Sequence, residues 1–149
     1  MTREMLFRGK RVDNDEWLES NSINVQADIF GREHVYMGVP VKYGKHPNGY
    51  YIEWHEVIPE TVGQYTGLPD KNGKKIFKGD LLKCESNLVW LVAFEDGAFV
   101  CKDDENVTYF TFYEHREYNS KTKKYENFIP KDFEIIGNIH DNPDFLKGE

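Results

Sequence analysis

Between Glu60 and Asp80 the chain changes direction too often to be helical. The run Glu60-Thr-Val-Gly-Gln-Tyr-Thr-Gly-Leu-Pro-Asp-Lys-Asn-Gly-Lys-Lys-Ile-Phe-Lys-Gly-Asp80 places glycines at 63, 67, 73 and 79. Glycine reaches the positive φ of tight turns without steric cost, and Asp and Asn close such turns on their own backbone. The segment therefore reads as short strands joined by turns. Gly63 and Gly67 are expected to allow close turns, Tyr65 and Leu68 to anchor them, and Asp80 to accept hydrogen bonds from turn amides.

The flanking sequence follows the same pattern. Tyr, Phe, Trp, Val and Ile alternate with polar residues, and aromatics reach 15% of the chain, a composition that favours sheet. There is no internal repeat and no amphipathic run of three helical turns. Met5 to Arg8 and Trp17 to Val25 predict a hairpin about a polar Arg11–Glu16 turn. Strands follow at Tyr36–Val41 and Tyr50–Ile58, separated by the Lys45–Gly49 turn, and Pro59 suggests a boundary. Leu88–Phe94, apolar at every position, predicts a strand covered on both sides; Glu95-Asp96-Gly97 turns it back into Ala98–Lys102. Val107–Tyr113 alternates as a strand, Glu114–Asn127 reads as a long mobile polar loop, and Phe133–Ile139 is the last strand. A short tail after Asn142-Pro143 is expected to form one helical turn.

About five short strands after Thr61, tied by tight turns, fit a closed barrel better than a flat sheet with exposed edges. The expected fold is mainly β: an N-terminal β extension over 1–58, a small SH3-like barrel over 59–143 with its polar loop at 114–127, and a tail at 144–149.

Thr61-Val-Gly-Gln-Tyr-Thr-Gly-Leu68, Asp70-Lys-Asn-Gly73 and Gly79-Asp80-Leu81, in that order, resemble the YopX family of bacteriophage and prophage proteins. Phe7-Arg8-Gly9-Lys10 with Glu16-Trp17 is similar to the family's opening. Ile136-Gly137-Asn138-Ile139 with Asn142-Pro143 is similar to its close, although His140 stands where the family more often has Tyr. The resemblance spans nearly the whole chain and implies a phage or prophage gene. It brings no catalytic residues, because the family is mainly uncharacterised.

The net charge of −7 argues against a general nucleic-acid binder, which needs clustered cations on an accessible face. Lys71, Lys74, Lys75, Lys78 and Lys83 form one local basic cluster; Glu95, Asp96, Asp103, Asp104 and Glu105 form an acidic one. Solvated turns explain both, and a nucleic-acid surface at the lysines is the sharper alternative. Cys84 and Cys101 have neither Cys-x-x-Cys spacing nor the pattern of a secreted scaffold, so reduced thiols in the host cytoplasm are expected. No signal segment and no apolar run of spanning length is present, so no membrane association is expected.

Chemistry is hard to find. His34, His46, His55, His115 and His140 are scattered without metal-ligand spacing, so no metal or cofactor is expected. His140-Asp141 could pair an imidazole with a carboxylate, but a surface His and a turn Asp explain it as well. An enzyme acting through His140 or His115 stays as a third reading, since sites assembled from distant positions escape spacing arguments. Cys84 and Cys101 read as small buried hydrophobes, and the glycines match no phosphate-binding loop. The reading that remains is a non-enzymatic module for an unknown host or phage protein, with homo-oligomerisation through edge strands as a further option. Its candidate binding residues are Gln64, Tyr65, Thr66 and Asp70 beside the barrel, with Tyr109, Phe112 and Tyr113 as exposed aromatics. Against that surface stands a purely structural role for the glycine-rich run and core packing for the aromatics.

Overall fold

A computed structural model describes residues 4–45, 48–83, 88–103, 108–111, 116–121, 123–127 and 133–147. For 108–111, 116–119, 124–127 and 146–147 it describes the backbone alone. The chain divides into two compact units, Met1–Gln64 and Tyr65–Glu149. It is mainly β; the described residues form antiparallel sheets and two short 3-10 turns, and their strand pairings close no barrel.

The first unit starts with β1 (Phe7–Lys10) and β2 (Trp17–Ser20), an antiparallel hairpin in which Phe7 faces Ser20 and Lys10 faces Trp17. The polar stretch between them holds itself in place: Asp15 N–H donates to Arg11 O, and Arg11 N–H to Glu16 O. A three-stranded sheet follows, in the order β3 (Ser22–Ala27), β4 (Glu33–Lys42) and β5 (Tyr50–Val57). Directly opposed residues of antiparallel strands share a face. Ile23, Val25, Val35, Met37 and Val57 therefore point one way, while Asn24, Tyr36, Gly38, Pro40, Ile52 and Trp54 point the other.

The first face makes the core of this unit: Val35, Met37 and Val57 pack with Phe7, Leu18, Ile23 and Val62. The end of β1 continues onto β5, with Arg11 bridging Val57 and Ile58 N–H donating to Lys10 O. At the 3-10 turn Pro59–Thr61, buried Thr61 takes the Lys10 N–H on its hydroxyl and donates that hydroxyl to Ile58 O. Strand β6 (Gly63–Pro69) then begins against β1, Gly63 opposite Arg8 and Gln64 opposite Phe7.

The second unit takes up the rest of β6, which pairs with β7 (Lys75–Phe77). Tyr65 opposes Phe77 and Pro69 opposes Lys75, so β6 carries more residues than its partner; Gly67, at φ 88°, lies in the excess. Next come β8 (Asp80–Lys83), β9 (Val89–Glu95), β10 (Ala98–Lys102), β11 (Thr108–Thr111) and, last in the chain, β14 (Glu134–Asn138). They form one antiparallel sheet in the order β11-β10-β9-β8-β14. Its core is Ile76, Leu82, Trp90, Val92, Phe99, Cys101 and Phe133, with Leu68 and Ile135 against it.

The β9–β10 hairpin is the expected one. Glu95 faces Ala98 across a two-residue turn whose residues, Asp96 and Gly97, sit at φ 50° and 80°. Positive φ at both positions matches the right-handed twist of the strands, which is why Asp-Gly is favoured there.

Four expectations change. Trp17–Val25 is two strands that part at Asn21, where the Ser20 hydroxyl donates to Gly38 O and accepts the Ser22 amide. Leu88–Phe94 is covered on both sides only at Trp90–Val92; Leu88 and Phe94 are exposed. Gly63 lies inside a strand opposite Arg8 and makes no turn. The polar stretch read as a loop contains the hairpin β12 (Arg116–Asn119) and β13 (Lys124–Asn127), with Tyr118 opposite Tyr125 and Lys123 at φ 56°. With one tyrosine in each strand and polar or charged residues elsewhere, no apolar period marks them. The tail forms the expected single turn, a 3-10 stretch at Pro143–Lys147.

Candidate functional site

The glycine-rich run is built from the inside. Asp70 is 4% exposed, and its carboxylate organises three chain segments. Oδ1 accepts the amides of Asn72 and Lys74 at 2.9 Å each, closing the β6–β7 turn, and Oδ2 accepts the Ile135 amide at 3.0 Å, tying that turn to β14. Lys71 N–H adds a bond to Phe133 O. Burial pushes the Asp70 carboxyl up, but the amides of Ile135, Lys74 and Asn72 outweigh it and leave the group below its ordinary value.

Tyr65 is buried against Phe77, with ring centroids 5.6 Å apart and Lys75 Nζ 5.7 Å above the ring. Thr66 is buried and its hydroxyl bonds within the same turn to Leu68. In the first unit Gln64 is half-buried beside Met5. Buried Asp80 accepts the Phe77 amide at 2.8 Å, as the sequence suggested. The motif thus directs the Tyr65, Thr66 and Asp70 side chains inward, and what it leaves for a partner is the shape of the turn. Tyr109 lies on β11, its side chain outside the described atoms; Phe112, Tyr113, Cys84, His46 and His115 are outside the described residues.

The lysines of the basic cluster, Lys71, Lys74, Lys75, Lys78 and Lys83, are all exposed. An acidic residue sits among them. Lys71 Nζ lies 3.4 Å from Glu134 Oε2, Asn72 Nδ2 donates to Glu134 Oε1 at 3.4 Å, and Lys83 faces Glu134 across the β8–β14 ladder. That arrangement weakens the local positive potential a phosphate backbone would need.

Sequence reasoning missed the Asp28–Arg32 turn between β3 and β4. Its tip carries Ile29 at 93% exposure and Phe30 at 74%. Asp28 holds it rigidly: Oδ1 accepts the amides of Phe30 and Arg32 at 2.9 and 3.0 Å, and Oδ2 takes the Arg32 Nε at 2.9 Å. The backbone closes from Asp28 N–H to Arg32 O, and the Arg32 guanidinium lies 5.0 Å from the Phe30 ring centroid. His34 braces the base from the sheet, Nε2 at 3.1 Å from Asp28 Oδ2 and Nδ1 at 2.6 Å from Glu56 Oε1 on β5. Glu56 and Asp28 raise the His34 pKa, and His34 with the Arg32 and Phe30 amides brings Asp28 down to about 2. The signal available in the sequence was a pair of large apolar residues enclosed by Asp28 and Gly31, two turn-forming types.

Beyond His34 the outward face of the sheet is aromatic. Trp54 is 48% exposed, Ile52 46% and Tyr50 66%, with Pro40 exposed and Tyr36 half-buried beside them. Gly38 makes room for this surface: a Cβ there would lie 2.6 Å from Ile52 Cγ2 and 3.1 Å from the Trp54 ring. Only glycine lets both side chains lie across the strand.

The described histidines and the described cysteine each have a local setting. The two carboxylates at His34 contact opposite ring nitrogens, so they cannot join it around one ion, and no group of three metal ligands occurs among the described residues. Asp141 accepts from the Asn138 amide group at 2.8 Å, and Asn138 Oδ1 accepts the His140 and Asp141 backbone amides, which makes this pair part of the turn after β14. Burial pushes the Cys101 thiol up to about 12, far from a nucleophile's range.

The family model described as "YopX protein" matches residues 6–147. The chain belongs to the YopX family. Among solved structures it is similar to protein EF1440 from Enterococcus faecalis, at 24% identity and a TM-score of 0.52, over 97% of this chain and 99% of that one. A likeness at that identity shows a shared fold. No curated protein sequence matches the chain. Among the described residues, no helix of this YopX-family protein is long and apolar enough to cross a membrane.

Proposed function

We propose that this YopX-family protein is a non-enzymatic accessory or regulatory module, encoded by a phage or prophage, that binds a protein partner in the host cytoplasm through the Asp28–Arg32 turn. The observation that carries the reading is a turn that exposes Ile29 and Phe30 while six hydrogen bonds or ion pairs to the Asp28 side chain and backbone hold its base. Large apolar side chains presented on a preorganised loop act as anchors, because little conformational entropy is lost when a partner pocket closes on them. The Gln64–Asp70 segment contributes the shape of its turn as a secondary contact. For the second unit we propose kinship with small SH3-like barrels, on the strength of its five-stranded antiparallel sheet of short strands.

The test is a photoreactive phenylalanine analogue at Phe30, with a second at Lys71, in the cells that carry the gene. A discrete protein adduct from position 30 is expected. Adducts from position 71 alone, or to nucleic acid, would transfer the function to the lysine cluster.

A further inference from the structure

The outward face of the β3–β4–β5 sheet is a second surface, separate from the turn, and its occupant can be argued from its area and its charge. Tyr50, Ile52 and Trp54 are exposed at 66%, 46% and 48%, flanked by Pro40 and Tyr36, all on one side of the sheet by register. With roughly 150–250 Å² on each aromatic side chain, this stripe offers on the order of 400 Å² of apolar surface. That is comparable to the largest patch an ordinary monomer carries. Around it lie the polar residues of the same face: Asn24 and Gln26 on β3, Lys42 at one end of β4, and His34 with Glu56 at the other.

We infer that this face packs against the same face of a second copy of the chain, the two related by a two-fold axis near Gly38. The area fits. Two such stripes bury on the order of 800 Å² of apolar surface, and the polar border takes the total past the roughly 1,200 Å² that stable pairs need. Charge fixes the direction. Along β4 the face runs from His34, which contacts Glu56 and Asp28, through Gly38 to exposed Lys42, four residues on either side of the glycine. A two-fold axis at the centre, with the two β4 strands antiparallel, brings Lys42 of one copy over the His34 end of the other, where Glu56 and Asp28 supply negative charge, whereas a parallel arrangement would set Lys42 over Lys42. Gly38 also suits the centre. Two sheets approach to about 10 Å when the residues between them lie flat, and here Ile52 and Trp54 lie across a strand with no side chain of its own.

The test uses the purified full chain and needs no other protein, so its failure leaves the reading of the turn intact. Sedimentation or light scattering is followed from low to high micromolar concentration for the native chain and for Trp54→Glu, Ile52→Lys, Lys42→Glu and Lys42→Glu/Glu56→Lys. Circular dichroism and melting confirm that each variant is folded. The expected result is a concentration-dependent dimer whose dissociation constant rises at least tenfold in Trp54→Glu and Ile52→Lys, rises in Lys42→Glu, and recovers in the charge-swapped double variant. A native chain that stays monomeric throughout would overturn the inference. So would a dimer indifferent to Trp54→Glu and Ile52→Lys, or a double variant that is weaker than Lys42→Glu alone.

Discussion

Replacing Asp70 by Ala should be among the most damaging single changes outside the apolar cores. Three backbone amides lose their acceptor: Asn72 and Lys74 in the turn and Ile135 at the start of β14. The turn amides are reachable by water, so each loss costs about 1 kcal/mol, while the half-buried Ile135 amide loses a charge-assisted bond worth about 1.5–3 kcal/mol. The total of about 3–5 kcal/mol corresponds to a fall in Tm on the order of 10 °C for a chain of this size. Asp70→Asn should cost about half as much, because its oxygen can still serve the turn while its NH2 meets the Ile135 donor.

The same geometry sets a pH dependence. The Asp70 pKa is lowered in the folded state, with burial opposing and the Ile135, Lys74 and Asn72 amides prevailing. Its stabilisation is therefore present above the unfolded carboxylate pKa of about 4 and is lost as pH falls through the folded value. Urea denaturation at pH 7 and pH 3 measures both effects. An Asp70→Ala variant within about 0.5 kcal/mol of the native chain, the range of ordinary surface substitutions, would refute the claim that the family motif is held from this carboxylate.

Gly38→Ala should destabilise by about 1–3 kcal/mol, since its methyl enters the space of Ile52 and Trp54; a melting curve superimposable on the native one would count against the packing described. His34 should titrate above its ordinary value by NMR and return towards it in Glu56→Gln. Because the folded pKa is raised, its contribution to stability is complete below about pH 6.5 and disappears as pH rises through the folded value. Cys101, with its thiol pushed to about 12, should not react with thiol reagents at pH 8 in a folded Cys84→Ser variant and should react at once in denaturant. Phe30→Ser should leave Tm within about 1 °C while weakening partner binding at least tenfold, as expected for an exposed anchor.

The fold was legible where chain direction is set by local chemistry. Asp96-Gly97 and Asp70–Gly73 demand turns by backbone conformation alone, and the alternation from Tyr50 to Val57 gives a strand without knowledge of its partners. The β12–β13 hairpin was not legible, because each strand has a single tyrosine among polar and charged residues and no apolar period marks a face. The split at Asn21 depends on a hydroxyl bond from Ser20 to Gly38, a contact between residues 18 apart that no local pattern encodes.

The site was read less well, for a physical reason. The densest motif is specific in its residues, yet that specificity arises from burial: Tyr65, Thr66 and Asp70 are spent on packing and on closing turns. The Asp28–Arg32 turn looks ordinary in sequence. Only the meeting of Asp28 with His34 and Glu56, brought together by β-register, distinguishes it from any polar connection.

On the function proposed above, the Asp28–Arg32 turn, and not the lysine-rich run, makes contact with a partner in the cell. The most direct measurement compares photocrosslinking yields from positions 30 and 71 in the same cells. One dominant protein adduct is expected from position 30, abolished when Asp28 is also replaced by Ala. An adduct pattern from position 30 no richer than that from position 71, or one unchanged by the loss of Asp28, would contradict it.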